Sequence, residues 1–102
     1  MKYFAVTRER GPAWKASESM RGQSKWREHA AFMNSLADEG SVILGGPLGE
    51  GERRFLLVMS ADSEKMIGAR LAADPWTSMG LLQIAKIEQL QILLERTNKL
   101  HL

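Results

Sequence analysis

The chain has 102 residues, of which 44% are hydrophobic, and its formal net charge is +2. This length predicts one domain, and the apolar content is too high for a disordered chain. No apolar run approaches the roughly 20 residues that cross a bilayer, and basic residues are scattered among acidic ones, so neither a membrane protein nor a nucleic-acid binder is expected.

Cysteine is absent and there are only two histidines, His29 and His101. Disulfides, thiolate metal sites and cysteine nucleophiles are therefore excluded, and two separated histidines are too few for a histidine-built metal site. We expect no metal and no cofactor, and we expect His101, close to the C-terminus, to take no part in a site. The N-terminus has no signal-peptide pattern, which indicates a cytoplasmic protein.

The first predicted elements are a strand and a long loop. Residues 2–8 are rich in strand formers. Residues 9–23 are polar and broken by glycine and proline, so they predict a loop, and a loop of this length is often functional, for example as a lid. Trp14 and Met20 within it favour packing over disorder.

A helix is predicted from Ser24, a plausible N-cap, to about Glu39, with Gly40 as the stop. Its apolar residues recur at helical spacing. Those expected on its inner face are Trp26, Ala30, Met33, Leu36 and Ala37.

Two strands follow, at 41–44 and 53–60, and Gly45-Gly46-Pro47 is expected to turn the chain after the first of them. The centre of the second strand, 55–59, is apolar on both faces and must be covered on both sides.

Asp62 or Ser63 is expected to cap a second helix that runs to about Ala73 and is ended by Pro75, with 76–80 as a loop. Its expected inner residues are Met66, Ile67, Ala69 and Leu71.

The last segment, 81–94, fits two patterns. Its residues are good helix formers and its apolar spacing fits a helix, but it also alternates as a strand with a slip near Lys86-Ile87. Local evidence favours the helix. Topology favours the strand, because three strands and two helices need a fourth strand to complete a βαββαβ unit.

Such a unit has helices on one face of its sheet only. The doubly apolar central strand then leaves an apolar patch on the other face. The same face of a second copy is the simplest cover, so the pattern predicts a homodimer.

His29 and Asp74 form the candidate catalytic pair. His29 falls on the inner stripe of the first helix and should point toward the sheet. Asp74 is placed at the C-terminus of the second helix, where a carboxylate is electrostatically misplaced unless it is solvated or has a positive partner. If the two meet, Asp74 would orient the imidazole and His29 would act as a general acid or base. A core histidine that is merely hydrogen-bonded remains the alternative.

Several further residues are candidates for a substrate pocket. Arg21 could bind a carboxylate through its guanidinium fork, and Gly46 and Pro47 could let the chain pass close to the site. Tryptophans could add an aromatic wall, although they are usually core residues. The tryptophan candidates are Trp14, Trp26 and Trp76.

The order of these residues resembles the YCII-related family. The resemblance rests on His29, Gly40, Gly45-Gly46-Pro47, Asp74-Pro75 and Gly80, and on the strings at 26–29, 44–48 and 71–76, and it covers about 2–94. It implies a ferredoxin-like α+β fold with a four-stranded antiparallel sheet, forming a dimeric α+β barrel, and residues 95–102 as a tail. It also favours a strand at 81–94.

In that family, a histidine and an aspartate that match His29 and Asp74 are the proposed active-site pair. The resemblance therefore implies a small cofactor-independent lyase or isomerase, which uses this pair for proton transfer on a small cyclic or aromatic metabolite. The alternative is a non-catalytic ligand-binding or regulatory dimer with the same pocket.

Overall fold

The computed structural model describes residues 2–100; Met1, His101 and Leu102 lie outside it, and with them the expectation for His101. The strands are β1 (Lys2–Arg10), β2 (Val42–Leu48), β3 (Arg54–Ala61) and β4 (Leu82–Leu90), and the helices are α1 (Trp26–Asp38), α2 (Glu64–Ala72) and α3 (Pro75–Ser78). Within the described range no helix is long and apolar enough to span a membrane.

The four strands form one antiparallel sheet in the order β2-β3-β1-β4, and the helices pack on one face of it. This is the ferredoxin-like α+β fold predicted above. The strand assignment of the last segment is also confirmed, because pairing with β1 overrides the helix propensity of β4. Ala85 has no partner in that ladder, since Arg8 faces Ile84 and Thr7 faces Lys86. This bulge accounts for the slip in the alternation.

The core has two parts. The larger lies between the sheet and helices α1 and α2, and its buried members are Phe4, Val6, Leu36, Leu57, Met59, Ala61, Ile67 and Leu71. The smaller lies at the end of the sheet that carries loop 9–23, and its members are Trp14, Phe55, Trp76, Leu81 and Leu82. Trp14 thereby anchors the loop to the domain, as expected from its apolar bulk.

Gly45-Gly46-Pro47 does not end the strand. The expectation of a turn there was wrong, since these residues pair with Leu57, Leu56 and Phe55 within β2. Proline is tolerated because β2 is an edge strand. Gly45 is required by space: a Cβ there would lie 2.6 Å from Leu57 Cδ2 and 3.0 Å from the Leu56 carbonyl oxygen.

Two neighbouring substitutions test this reading of β2. Gly45→Ala is expected to destabilise the fold by about 1–2 kcal/mol, because Leu57 is buried and has little room to move. Gly46→Ala is the matched control, since nothing lies within 4 Å of a Cβ there, and it should be neutral or slightly stabilising. Chemical denaturation of both variants measures the difference, and equal stabilities would contradict the close approach.

The start of α1 and the segment after α2 differ from the prediction. Lys25, in the left-handed region at φ 62°, is the N-cap of α1 and provides no side-chain cap, so Ser24 does not cap this helix. Ser63 caps α2 as predicted, by accepting from the Met66 amide. The segment after Asp74 is not all loop, because Pro75 opens the one-turn helix α3.

The inner faces of the helices are narrower than predicted. In α1 the buried residues are His29 and Leu36, while Ala37 is exposed. In α2 only Ile67 and Leu71 are buried. The remaining predicted inner residues are half-buried (Trp26, Ala30 and Met33) or exposed (Met66 and Ala69).

Candidate functional site

His29 occupies the inner face of α1, as the helical phase predicts, and is 7% exposed. Its Nδ1 lies 2.9 Å from each carboxylate oxygen of Asp74. One face of the imidazole stacks on the Trp76 ring, with centroids 3.9 Å apart and planes 3° from parallel. The ring is thus fixed by a hydrogen bond at one edge and by an aromatic surface on one face.

Asp74 is fully buried and lies beyond the end of α2, at the N-cap of α3. Its Oδ1 accepts from the Trp76 backbone amide at 2.9 Å. Pro75 fits the next position because the first helical residue needs no amide hydrogen. Asp74 directly follows the C-cap of α2, as expected, and it also serves as the N-cap of α3, which was not predicted.

Arg8 is the positive partner, and the sequence reasoning missed it. Its Nη1 donates to Asp74 Oδ2 at 2.9 Å and its Nη2 donates to Thr77 Oγ1 at 3.0 Å, with the side chain 2% exposed. The available signal was alternation, because Phe4, Val6 and Arg8 occupy successive inward positions of β1. An arginine at an inward position needs a buried partner.

These contacts decide the charge of Asp74. Burial alone raises the pKa of its carboxyl, but the hydrogen bonds from His29 and the Trp76 amide, with the charges of His29 and Arg8, outweigh burial. The pKa of Asp74 therefore lies below its ordinary value. Asp74 is an anion at neutral pH, so it accepts the hydrogen of His29 Nδ1, and in the neutral form of the imidazole the lone pair is on Nε2.

His29 Nε2 is the open nitrogen of the pair. Nε2 has no hydrogen-bond partner within residues 2–100. It is also not fully buried, so a ligand can reach it. His29 and Arg8 both line a cavity of about 300 Å³ between α1 and the β2–β3 edge of the sheet. The other polar side chain on its wall is Asn34, and most of the lining is apolar. The cavity therefore gives a small ligand access to an oriented imidazole.

The predicted pocket residues divide into two groups. Trp26, Gly46 and Pro47 line the cavity. Trp14 and Trp76 belong to the smaller core cluster instead. The Trp76 ring contacts the site by stacking on the His29 imidazole. Arg21 is exposed, with its guanidinium 5.5 Å from the Trp26 ring centre, and is not on the cavity wall.

Loop 9–23 is held in this structure by hydrogen bonds within the loop and to the β2–β3 hairpin. The buried side-chain amide of Gln23 donates to the Lys15 carbonyl at 2.8 Å and to the Glu18 carbonyl at 3.1 Å. The Met20 amide donates to Glu52 Oε1 at 2.9 Å, which joins the loop to the β2–β3 hairpin. Met20 is its contribution to the cavity.

Across the described part of the chain, no three histidine, aspartate or glutamate side chains gather closely enough to hold a metal ion. The chemistry that this site offers from its own residues is proton transfer at His29 Nε2.

Comparison with known proteins gives likenesses of fold. The chain is similar to the solved structure of 5-chloro-2-hydroxyhydroquinone dehydrochlorinase (TftG) from Burkholderia phenoliruptrix AC1100 in complex with 2,5-dihydroxybenzoquinone, with 20% identity, a TM-score of 0.62, and 95% of this chain and 99% of that chain covered. It is also similar to the structure of protein YJCS, with 14% identity, a TM-score of 0.53, and 88% and 96% covered. No family model and no curated protein matches.

Proposed function

We propose that this protein is a YCII-related, cofactor-independent enzyme in which His29, oriented by Asp74, transfers a proton on a small cyclic or aromatic metabolite. The observation that carries the proposal is the asymmetry of His29. Its Nδ1 is bonded to a buried carboxylate, while its Nε2 is open and the residue lines the cavity. A histidine held only for stability has no need of an open second nitrogen.

The arrangement suits a general base. His29 Nε2 would take a proton from the substrate, and the imidazolium formed would be stabilised by the Asp74 carboxylate. In an elimination, the electron pair of the broken C–H bond forms a new double bond and a leaving group departs with its own electron pair. In an isomerisation, the same proton returns to another atom of the substrate.

The cavity supports a small ring as substrate. A volume of about 300 Å³ with largely apolar walls accommodates one or two rings and leaves few polar groups to satisfy. The name of the similar structure TftG describes a dehydrochlorinase of a chlorinated hydroxyhydroquinone. The shared fold and the His29–Asp74 geometry make ring compounds with an acidic proton the first substrates to test here.

The experiment is a turnover screen on the purified chain. The panel contains 5-chloro-2-hydroxyhydroquinone, unchlorinated hydroxyhydroquinone and simple cyclic ketones, followed by absorbance, chloride release and deuterium exchange from the solvent. Turnover or exchange of any member supports the enzyme. A ligand-dependent rise in Tm with no turnover of any compound would favour the binding module, and the absence of both would leave a structural pair.

We also propose that the protein works as a homodimer through the sheet face opposite the helices. Alternation along the strands points Tyr3, Ala5, Leu44, Leu56 and Val58 to that face, because their neighbours face the helices. In the isolated chain Leu44 is 55% exposed and Tyr3 is 37% exposed. A face of this composition against its own copy would bury apolar surface on the scale of stable interfaces.

Leu44→Lys is expected to convert a dimer into a monomer at micromolar concentration, because the new charge would be buried against the partner copy. Met66→Lys is the matched control, since Met66 is also an exposed apolar residue, 37% accessible, but lies on α2. Light scattering on both variants and on the unmodified chain measures the assembly. A monomeric unmodified chain would overturn the homodimer.

A further inference from the structure

We propose that Arg8 is a positioning residue of this site: it fixes the Asp74 carboxylate and balances its charge, so that the carboxylate holds His29 Nδ1 and leaves Nε2 free. The inference rests on the proposed function, because it assigns His29 the part of the base. It concerns a residue that contacts Asp74 rather than His29.

The Asp74 carboxylate is held at both oxygens, Oδ1 by the Trp76 amide at 2.9 Å and Oδ2 by Arg8 Nη1 at 2.9 Å. His29 Nδ1 is 2.9 Å from each oxygen and so lies between them. Rotation of the carboxylate would break at least one of these bonds. Arg8 therefore fixes the plane in which the imidazole must lie.

Arg8 is itself anchored at its other end. Its Nη2 donates to Thr77 Oγ1 at 3.0 Å, and the same hydroxyl donates to the Leu71 carbonyl at 2.7 Å. The guanidinium thus connects β1 to α3 and to the end of α2. A fork held at both of its terminal nitrogens has little freedom to move.

Arg8 and Asp74 are the buried charged residues beside His29, and their formal charges cancel. No charged residue of β2 or α3 faces the imidazole, because neither element contains one. On β4, Lys86 and Glu88 pair with Thr7 and Ala5 on the opposite face of the sheet.

Arg10, half-buried on β1, is bonded to the carbonyls of Gly51 and Glu52, and the other charged groups near the site are exposed. Solvent-exposed residues include Arg27 and Glu28 on α1 and Arg54 on β3. Arg21 is also exposed, and its guanidinium lies over the Trp26 ring. A proton on His29 would add a positive charge, beyond the balanced Arg8–Asp74 pair, to a largely apolar environment. Without Arg8, the Asp74 charge would be free to hold that proton.

Stability alone is a poor account of Arg8. Burying an ion pair costs desolvation of both ions, and apolar residues in its place are often as stable or more so. Here the cost is increased, because the buried Arg8 Nε has no hydrogen-bond partner within residues 2–100. A residue that orients and balances Asp74 has a reason to remain arginine.

The test follows the His29 imidazole by NMR in the unliganded full chain, with ¹⁵N shifts reporting the tautomer and the Cε1 proton reporting the titration. In Arg8→Met the titration midpoint is expected to move to higher pH by about one unit, with loss of the single tautomer. Arg8→Lys keeps the charge, so its midpoint should stay close to that of the unmodified chain while the tautomer becomes mixed.

Arg10→Met is the matched control. Arg10 points inward two residues further along β1, but it donates to the carbonyls of Gly51 and Glu52 and does not contact Asp74. The titration of His29 in Arg10→Met should match that in the unmodified chain. If Arg8→Met does not fold, Thr77→Val is the substitute, because it removes the hydroxyl that holds the second end of the guanidinium. It should also replace the single tautomer of His29 by a mixture.

An unchanged midpoint and tautomer in Arg8→Met, or in Thr77→Val where that variant replaces it, would overturn the proposal and leave Arg8 a structural residue. Because no substrate is used, this result is separable from the proposed function. Failure of the turnover screen with a shifted titration would overturn the enzyme and keep the role of Arg8 in setting the state of His29.

Discussion

His29→Asn is expected to lower kcat by about 10²–10⁴-fold while the protein stays folded and still binds its ligand. Asparagine places an amide nitrogen close to the position of Nδ1, so the hydrogen bond to Asp74 can persist. Nothing in the variant replaces Nε2, the nitrogen left open by the fold. The measurement is steady-state kinetics on a substrate found in the screen, with ligand binding followed by Tm.

Arg27→Gln is the control for this variant, because Arg27 is exposed on the same helix and makes no contact with Asp74. It should keep full turnover. A His29→Asn protein that keeps kcat within threefold of the unmodified chain would remove His29 from the chemistry. A variant that loses ligand binding together with turnover would point to the binding module instead.

Much of the fold could be predicted from sequence because it depends on alternation and helical spacing. The two-face apolar pattern of β3 and the inward phase of His29 both follow from the geometry of single elements. The assignment of 81–94 did not follow in that way. Local propensity favoured a helix, and only pairing with β1 makes the segment a strand with a bulge at Ala85.

The part of the site that escaped prediction depends on contacts between distant residues. Arg8 and Asp74 are 66 positions apart, and no local pattern brings them together. The role of Asp74 was misjudged because α2 ends at Ala72 and a new helix starts at Pro75. Gly45-Gly46-Pro47 was taken as a turn from composition, whereas the packing of Leu57 explains the first glycine.

The second large effect is on stability: Asp74→Asn is expected to destabilise the fold by about 3–5 kcal/mol at neutral pH. The substitution removes the charge that balances the buried Arg8, and an uncompensated buried charge is costly. A domain of this size has only about 5–15 kcal/mol in total, so the loss is large. Urea denaturation at pH 7 measures it.

The same effect has a predicted pH dependence. The pKa of Asp74 is lowered by folding, so its contribution to stability is fully present above the unfolded value near 3.8 and is lost as the pH falls through the folded value. The difference in unfolding free energy between the unmodified chain and Asp74→Asn should therefore be largest at neutral pH and shrink below about pH 4.

A double variant shows whether the loss comes from the ion pair. Arg8→Met combined with Asp74→Asn removes both charges, and it should be more stable than Asp74→Asn alone, because no buried charge is left without a partner. If the double variant is less stable than Asp74→Asn, the two side chains contribute independently and the pair does not account for the loss. Recovery would make Arg8 and Asp74 one coupled pair, so that the loss in Asp74→Asn comes from the arginine left without its partner.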